Sequence, residues 1–110
     1  MIFKKDDVEE KILPEFFGGE KELRARLYVG ELGKILTSAV LSAGASIGEH
    51  THTDSSEIIY IISGCGTASD DGTEYDVQAG DVIYCPKGHS HGLRNTGKED
   101  IVFFAAVPKQ

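Results

Sequence analysis

The stretch Gly44–Gly64, GASIGEHTHTDSSEIIYIISG, carries two histidines and a glutamate between short apolar segments. In a β-strand, side chains two residues apart point to the same face, so His50 and His52 can aim their rings at one point. The segment Thr53–Ser56 is polar and turn-like, which allows the chain to fold back and bring Glu57 beside the two rings. The pattern therefore predicts two imidazoles and one carboxylate clustered on neighbouring strands.

A second stretch, Gly80–Asn95 (GDVIYCPKGHSHGLRN), holds the two remaining histidines, His89 and His91. A third imidazole from this distant strand would close the site. Neutral imidazoles with one carboxylate suit first-row divalent metals, whereas calcium prefers a shell made of oxygen alone. Four protein ligands on a six-coordinate ion leave about two positions for water or substrate, which is typical of catalytic rather than structural sites.

Together the two stretches resemble the two sequence signatures of the cupin superfamily. The first signature spaces Gly, His-x-His, Glu and Gly, and the second spaces Gly, Pro-x-Gly, His and Asn. This chain has the specified residue at every position: Gly44, His50, His52, Glu57, Gly64, Gly80, Pro86, Gly88, His91 and Asn95. The resemblance implies a single jelly-roll barrel, also called a double-stranded β-helix, that holds a divalent transition metal. The metal ligands implied by the resemblance are His50, His52, Glu57 and His91. Manganese or iron is favoured over zinc, nickel, cobalt and copper.

The remaining sequence also favours an all-β domain. Thirteen glycines and three prolines separate short segments rich in Val, Ile, Thr, Tyr and Phe, as expected for strands joined by tight turns. A short helix is expected near Asp6–Leu13, with Pro14 ending it. Residues 1–110 are expected to form one cupin domain with its barrel core at about 34–107. The predicted strands are 25–29, 34–41, 45–52, 57–63, 66–69, 73–77, 81–85, 90–95 and 101–107.

Two of these predicted strands, Ile58–Ile62 and Ile101–Val107, are apolar on both parities. A sheet face turned to water would alternate polar and apolar residues, so both faces of these strands are expected to be covered. One face fills the barrel interior. The other needs a second sheet, the N-terminal segment or another subunit, and in so short a chain a homodimer is the favoured interpretation.

Strand parity also predicts which side chains surround the metal. If Glu57 points inward, alternate residues after it do so too, and resemblance to small cupins selects the inward set on the last strand. The resulting apolar pocket would consist of Ile47, Ile59, Ile61, Leu93, Phe103 and Ala105. His89 lies outside the ligand pattern and is expected either at the rim of the barrel or beside a ligand ring, where a hydrogen bond to that ring would be its most useful role. Arg24 and Arg26 share one face of the first predicted strand, which is interpreted as an exposed charged strand, the alternative being that they reach the barrel mouth.

Composition excludes several classes of partner. Eighteen acidic against eleven basic residues give a net charge of −7, the wrong sign for nucleic acid or an anionic membrane. The longest apolar run is Ile58–Ile62, far below the roughly 20 residues that a transmembrane helix needs. The two cysteines, Cys65 and Cys85, form no disulfide framework and are expected to be buried thiols. A cytoplasmic protein without nucleic-acid or membrane partners is the expectation.

The resemblance implies a metal-dependent enzyme that acts on a small carboxylate, diketone or sugar-like substrate bound to the metal. Oxygenase, decarboxylase and isomerase chemistry all fit, but no acid beyond Glu57 is a candidate proton donor, which counts against a decarboxylase. The alternative is a module that binds or senses a small ligand with the help of the metal and without turnover. A third and weaker interpretation is a dimer in which the metal only stabilises the barrel.

Overall fold

The protein consists almost entirely of antiparallel β-strands arranged in two sheets. The structure is a computed structural model that describes residues 1–110, and none of its elements is a helix long and apolar enough to cross a bilayer. The predicted all-β jelly-roll barrel is confirmed. The ten strands are β1 (Glu10–Pro14), β2 (Glu22–Val29), β3 (Gly33–Leu41), β4 (Ser46–Thr51), β5 (Glu57–Ser63), β6 (Cys65–Asp70), β7 (Thr73–Gln78), β8 (Val82–Cys85), β9 (Ser90–Arg94) and β10 (Ile101–Pro108).

The core lies between a six-stranded and a four-stranded sheet. The strand orders are β1-β2-β3-β10-β5-β8 and β4-β9-β6-β7, so strands far apart in sequence become neighbours. Alternate residues of both sheets point inward, and each large apolar side chain that is fully buried contributes roughly 1.5–3 kcal/mol to stability. The largest fully buried side chains are Phe103, Leu23, Leu41, Ile61, Leu93 and Ile101.

The helix expected near Asp6–Leu13 is wrong, because part of that segment forms strand β1 instead. Residues Glu10–Pro14 pair antiparallel with β2, which itself begins at Glu22 rather than at Ala25. Pro14 is tolerated because β1 is an edge strand, where a missing N–H costs no ladder hydrogen bond. Arg26 holds the preceding turn by donating to the Val8 carbonyl oxygen at 2.9 Å. Pairing with an existing sheet edge outweighs the weak helix propensity of so short a segment.

A short strap, residues 15–19, connects β1 to β2 and contains a 3₁₀ turn over Phe16–Gly18 that the sequence pattern did not reveal. Glu15 and Phe17 adopt left-handed backbone conformations, with φ of 48° and 52°. Such angles cost non-glycine residues free energy and persist only where the surrounding structure imposes them. Here the strap packs against β4, where the backbone of Gly48 lies under the Phe17 carbonyl group.

The outer face of the six-stranded sheet is apolar and is not covered by any element of the chain. Phe104 on β10 faces Tyr60 on β5, which faces Val82 on β8, and the next row pairs Ile58 with Tyr84. The exposed large side chains of this surface, called the apolar face below, are Ile58, Tyr60, Ile62, Val82, Tyr84 and Phe104. The expectation that both faces of β5 and β10 are covered is therefore not met within a single chain.

The two cysteines have different environments. Cys85 is buried, as expected, and burial raises the pKa of its thiol to about 11, with the neighbouring carboxylates adding to the effect. The expectation of a buried thiol is wrong for Cys65, which is exposed. Gly66 and Ala68 supply the inward face of β6, and alternation therefore turns Cys65 to the outside.

Candidate metal centre

The structure brings His50, His52, Glu57 and His91 together from three strands and one loop. The Nε2 atom of His91 lies 3.1 Å from the Nε2 atoms of both His50 and His52. Oε1 of Glu57 lies 2.8 Å from Nε2 of His91, 3.1 Å from that of His52 and 3.9 Å from that of His50. One donor atom from each of the four residues thus faces a common point.

A β-bulge in β4 is what lets residues of opposite parity share the interior. Ile47 pairs with Leu93 and His50 pairs with His91, so β4 advances by three residues between these two pairs while β9 advances by two. A bulge inserts one extra residue and reverses the alternation beyond it. Ile47 and His50 consequently both face the barrel interior, although strict alternation would separate them.

The spacing of the donor atoms fits a first-row divalent metal. Ligand nitrogens and oxygens sit about 2.1 Å from such an ion, so neighbouring ligands of an octahedral ion are about 3.0 Å apart. The separations of 2.8 and 3.1 Å match this spacing, and all four donor atoms lie within 4.8 Å of one another. The chain therefore has a His-His-Glu-His group positioned to bind a metal.

A hydrogen bond on the far side of the His50 ring selects the tautomer that a metal needs. Nδ1 of His50 lies 2.8 Å from the Gly48 carbonyl oxygen, which can only accept, so Nδ1 carries the proton. Nε2 of His50 is then left with its lone pair directed at the common point. Nδ1 of His52 lies 2.9 Å from Oγ of Ser55, a hydroxyl that can donate or accept, so this contact orients the second ring without selecting its tautomer.

Burial and hydrogen bonding also set the protonation states. Burial alone would raise the pKa of Glu57, but the neighbouring imidazoles of His50, His91 and His52 outweigh it and lower the pKa to about 2. Burial lowers the pKa of His52 below its ordinary value of 6.5, against the attraction of Glu57. At neutral pH the site therefore holds an ionised carboxylate and a neutral imidazole at these positions, which is the protonation state that binds a cation.

The four residues form the polar end of a mostly apolar cavity of about 210 Å³. Of the predicted pocket residues, Ile47, Ile59, Leu93 and Phe103 line this cavity. Ile61 and Ala105 do not line the cavity, and both are buried in the core. Ile61 lies four residues along β5 from Glu57, which places it farther from the donors. The cavity wall also includes residues that sequence reasoning missed, namely Leu13, Phe16, Phe17, Leu23, Leu27, Lys34, Leu36 and Val107.

Phe17 covers one of the metal-site histidines from the outside. Its ring stacks on the imidazole of His50 with 3.9 Å between centroids and 12° between planes. The ring is half exposed, so it separates His50 from solvent at the cavity mouth. The sequence offers a weak signal for this contact, because two adjacent phenylalanines precede Gly18 and Gly19, and Gly19 allows the chain to approach β4 closely.

His89 faces away from the four donors and pairs with Asp71 at the tip of the β6–β7 hairpin. Asp71 accepts hydrogen bonds from Nδ1 of His89 and from the backbone N–H of Ser90. The hydrogen bond to Asp71 raises the pKa of His89. The pKa of Asp71 is lowered, mainly by the hydrogen bond from the Ser90 N–H and then by the one from His89. The expectation that His89 would support a ligand ring is therefore wrong; its only ion-pair partner is a surface carboxylate.

The two arginines of β2 do not reach the cavity. Arg26 lies 3.9 Å from the Asp6 carboxylate and holds the N-terminal turn, and Arg24 has the same parity on this strand. Neither residue lines the cavity that contains the four donors. The alternative of arginines at the mouth is not met, and both side chains are half-buried rather than fully exposed as the favoured interpretation expects.

Comparison with known proteins agrees with this architecture. The model of the cupin domain matches residues 38–107. An oxalate-binding protein of Thermotoga maritima is 30% identical over 112 residues, covering 97% of this chain and 93% of the relative. The crystal structure of a predicted oxalate decarboxylase from Thermotoga maritima, 27% identical, covers all of both chains with a TM-score of 0.91. A Klebsiella pneumoniae protein with a double-stranded β-helix domain, 21% identical, covers 97% of this chain and 88% of its own with a TM-score of 0.73, which shows the fold alone. With the family model matching more than half of its length, this chain belongs to the cupin family.

Proposed function

We propose that this protein is a metal-dependent cupin enzyme acting on a small carboxylate, diketone or sugar-like molecule held at the metal. The metal ligands in this proposal are His50, His52, Glu57 and His91, with manganese or iron as the native ion. The observation that carries the proposal is the convergence of these four donors at one end of a cavity with no fifth protein donor. An open coordination position next to an empty apolar volume is what distinguishes a working site from a structural one.

The chain's own residues would prepare the reaction in three ways. Neutral rings and an ionised Glu57 hold the cation, and the Gly48 carbonyl fixes the orientation of His50. The apolar walls exclude water, which strengthens electrostatic interactions inside the cavity. When bound, the metal supplies a Lewis acid for the oxygens of the substrate or a site for redox chemistry.

The volume and lining of the cavity favour a small substrate. A cavity of about 210 Å³ accommodates a molecule of a few heavy atoms rather than a drug-sized ligand. The Thermotoga maritima relatives, described as an oxalate-binding protein and as a predicted oxalate decarboxylase, support a carboxylate. No carboxylic acid other than Glu57 lines the cavity, so a proton donor of the kind a decarboxylase uses is absent from the wall, and this favours oxygenase or isomerase chemistry.

The same shortage of acid–base groups favours a second candidate, which is a binding module without turnover. Here the metal and the cavity would hold a small ligand for sensing or storage. Oxygen consumption and product formation separate the two candidates when protein loaded with manganese or iron is incubated with small carboxylates and diketones. Product formation supports the enzyme, whereas tight binding without any product supports the module.

The metal site itself is tested by comparing two neighbouring histidines. His91→Ala removes a donor at the common point, whereas His89→Ala removes a surface histidine two residues away. Metal content measured on the purified variants should fall from one ion per chain to well below one for His91→Ala and stay at one for His89→Ala. Full metal content in His91→Ala, or equal loss in both variants, would refute this ligand set.

We also propose that the apolar face pairs with a second copy of the chain. Large contiguous apolar patches on a monomer mark interaction sites, and this face carries no charge, so two chains of net charge −7 can meet there without direct repulsion. Light scattering at micromolar concentration should give twice the chain mass of 11.9 kDa. Tyr84→Glu should yield monomers, whereas Tyr75→Glu, at a similarly exposed tyrosine of the other sheet, should not. A monomeric native protein would overturn the proposal.

The proposal extends to the compartment and the partners of the protein. We infer that residues 1–110 act as a single cupin domain in the cytoplasm, with a small molecule and a second copy of the chain as partners and neither nucleic acid nor membrane. Two thiols without a disulfide suit a reducing compartment. Both thiols should remain reduced in protein isolated from its native source under non-reducing, alkylating conditions, and an intermolecular disulfide would contradict the assignment.

A further inference from the structure

Lys34 is the one cationic side chain that lines the cavity of the four donors. Besides Lys34 and the four donors, the wall consists of eleven hydrophobic residues and Gly92. Lys34 forms no salt bridge, whereas Lys11, Arg26 and Arg94 each pair with a carboxylate. Its ammonium group is therefore available for a ligand.

The strand register places Lys34 at the same level of the sheet as Glu57. Lys34 pairs with Val107 on β10, and Ala106 pairs with Ile58 on β5, so the next pair in that register is Val107 with Glu57. The bridge between Ser55 and Lys109 continues the same register. Residues directly opposite each other in a sheet point to the same face, and two strand spacings separate the backbones by about 10 Å.

This distance leaves room for a short molecule between the donors and Lys34. The lysine stem is flexible and can carry its charge part of the way across the gap. Lys34 also lines the outer groove that meets the cavity at Phe17, His50 and His52, so it lies at the entrance through which a ligand would pass. Val107, on the strand between, forms an apolar floor.

The charge balance indicates what the ligand carries. The chain has a net charge of −7, which repels anions in general. A divalent ion offset by Glu57 leaves one positive charge at the donor end, and Lys34 provides a second positive charge at the mouth. Two separated positive charges joined by an apolar wall match an anion with an acid group at each end.

We propose that Lys34 is a specificity-determining residue that binds the second carboxylate of a small dicarboxylate whose first carboxylate lies at the metal site. This inference rests on the proposed function, because it assumes that the four donors hold a metal that binds the first carboxylate. It adds to that function a preference for dianions over monoanions of equal length.

The test compares pairs of probes that differ only in the second carboxylate. Cobalt(II)-loaded protein is titrated calorimetrically with malonate and propionate, and with succinate and butyrate. The native protein should bind each dicarboxylate about 5- to 20-fold more tightly than its monocarboxylate partner. Lys34→Met should reduce this ratio to about 2 or less while leaving monocarboxylate affinity within about 2-fold, and Lys34→Arg should retain most of the ratio.

The controls separate failure of this inference from failure of the proposed function. Lys98→Met makes the same change in net charge on a loop away from the cavity and should keep the native ratio. A ratio near 1 in the native protein, or a native ratio in Lys34→Met, overturns the role of Lys34 while monocarboxylate binding upholds the metal site. Absence of binding by every probe to cobalt-loaded protein overturns both.

Discussion

Gly48→Ala tests whether the strap over the metal site depends on close backbone contact. A Cβ atom at position 48 would lie 1.9 Å from the Phe17 carbonyl oxygen, whereas carbon and oxygen atoms need about 3.3 Å. The obstacle is backbone on both sides, so no side-chain rotation relieves it. The strap must therefore retreat by about 1.4 Å or β4 must bend.

Two losses follow from that retreat. Forcing an extra methyl group into a packed position costs about 1–3 kcal/mol of unfolding free energy. The stack of Phe17 on His50, with 3.9 Å between centroids, contributes about 0.5–1.5 kcal/mol in such pairs, and its loss frees the ring that must point at the metal. At 1.4 kcal/mol per factor of ten, metal affinity should fall about 2- to 10-fold.

The assays are urea unfolding of the metal-free protein and a cobalt(II) titration against a competing chelator. Phe17→Ala is the matched variant, since it removes the stack and leaves the backbone contact intact. Phe17→Ala should weaken metal binding by a similar factor with a smaller loss of stability. In the double variant Phe17→Ala, Gly48→Ala, the loss of metal-binding free energy should not exceed the sum of the two separate losses. Native stability and native affinity in Gly48→Ala would refute the reasoning.

Three further predictions concern the remaining buried and titratable groups. Cobalt affinity should fall as the pH drops below about 6.5, because each protonated imidazole must lose a proton to bind; burial, which lowers the pKa of His52, shifts its share of the loss to lower pH. Affinity that does not change between pH 7 and pH 5 in a chelator competition would exclude imidazole ligation. The exposed Cys65 should react quickly with a disulfide reagent in the native protein. Cys85 is buried and its thiol has a pKa of about 11, so it should react only in denaturant. Two fast-reacting thiols per chain in native buffer would contradict this assignment. Asn95→Ala should lower the unfolding free energy by about 2–3 kcal/mol, because the buried amide donates to the Leu41 and Glu99 carbonyl oxygens at 2.8 Å, and chemical denaturation that shows a loss below 0.5 kcal/mol would rule out this role.

Much of the site could be predicted because its residues are close in sequence and strand geometry is regular. His50 and His52 lie two apart, and a polar connection too short for another element returns the chain at Glu57, so three of the four donors are fixed locally. His91 was reached through the family resemblance, since no local rule says which of two distant strands will meet. The same resemblance led to the jelly-roll barrel.

The features that were missed depend on contacts between distant parts of the chain. Strand β1 forms because an edge of β2 is available to it, and the segment's own propensity favours nothing strongly. Phe17 reaches His50 only because Gly48 and Gly19 allow two backbones to touch. In the sequence, Lys34 has no feature that distinguishes it from an ordinary exposed lysine. Only the strand register shows that it lies beside Val107 and level with Glu57.

The sequence by itself determined the all-β class, the strand periodicity and three of the four donors, because these follow from local alternation and from residues a few positions apart. Only the tertiary structure decided what surrounds the donors: the bulge that turns Ile47 and His50 to the same interior, the strap over the mouth, and the lysine facing the site. Alternation is a property of one strand, whereas the register between strands and the shape of a cavity are set by which of many possible pairings buries the most apolar surface.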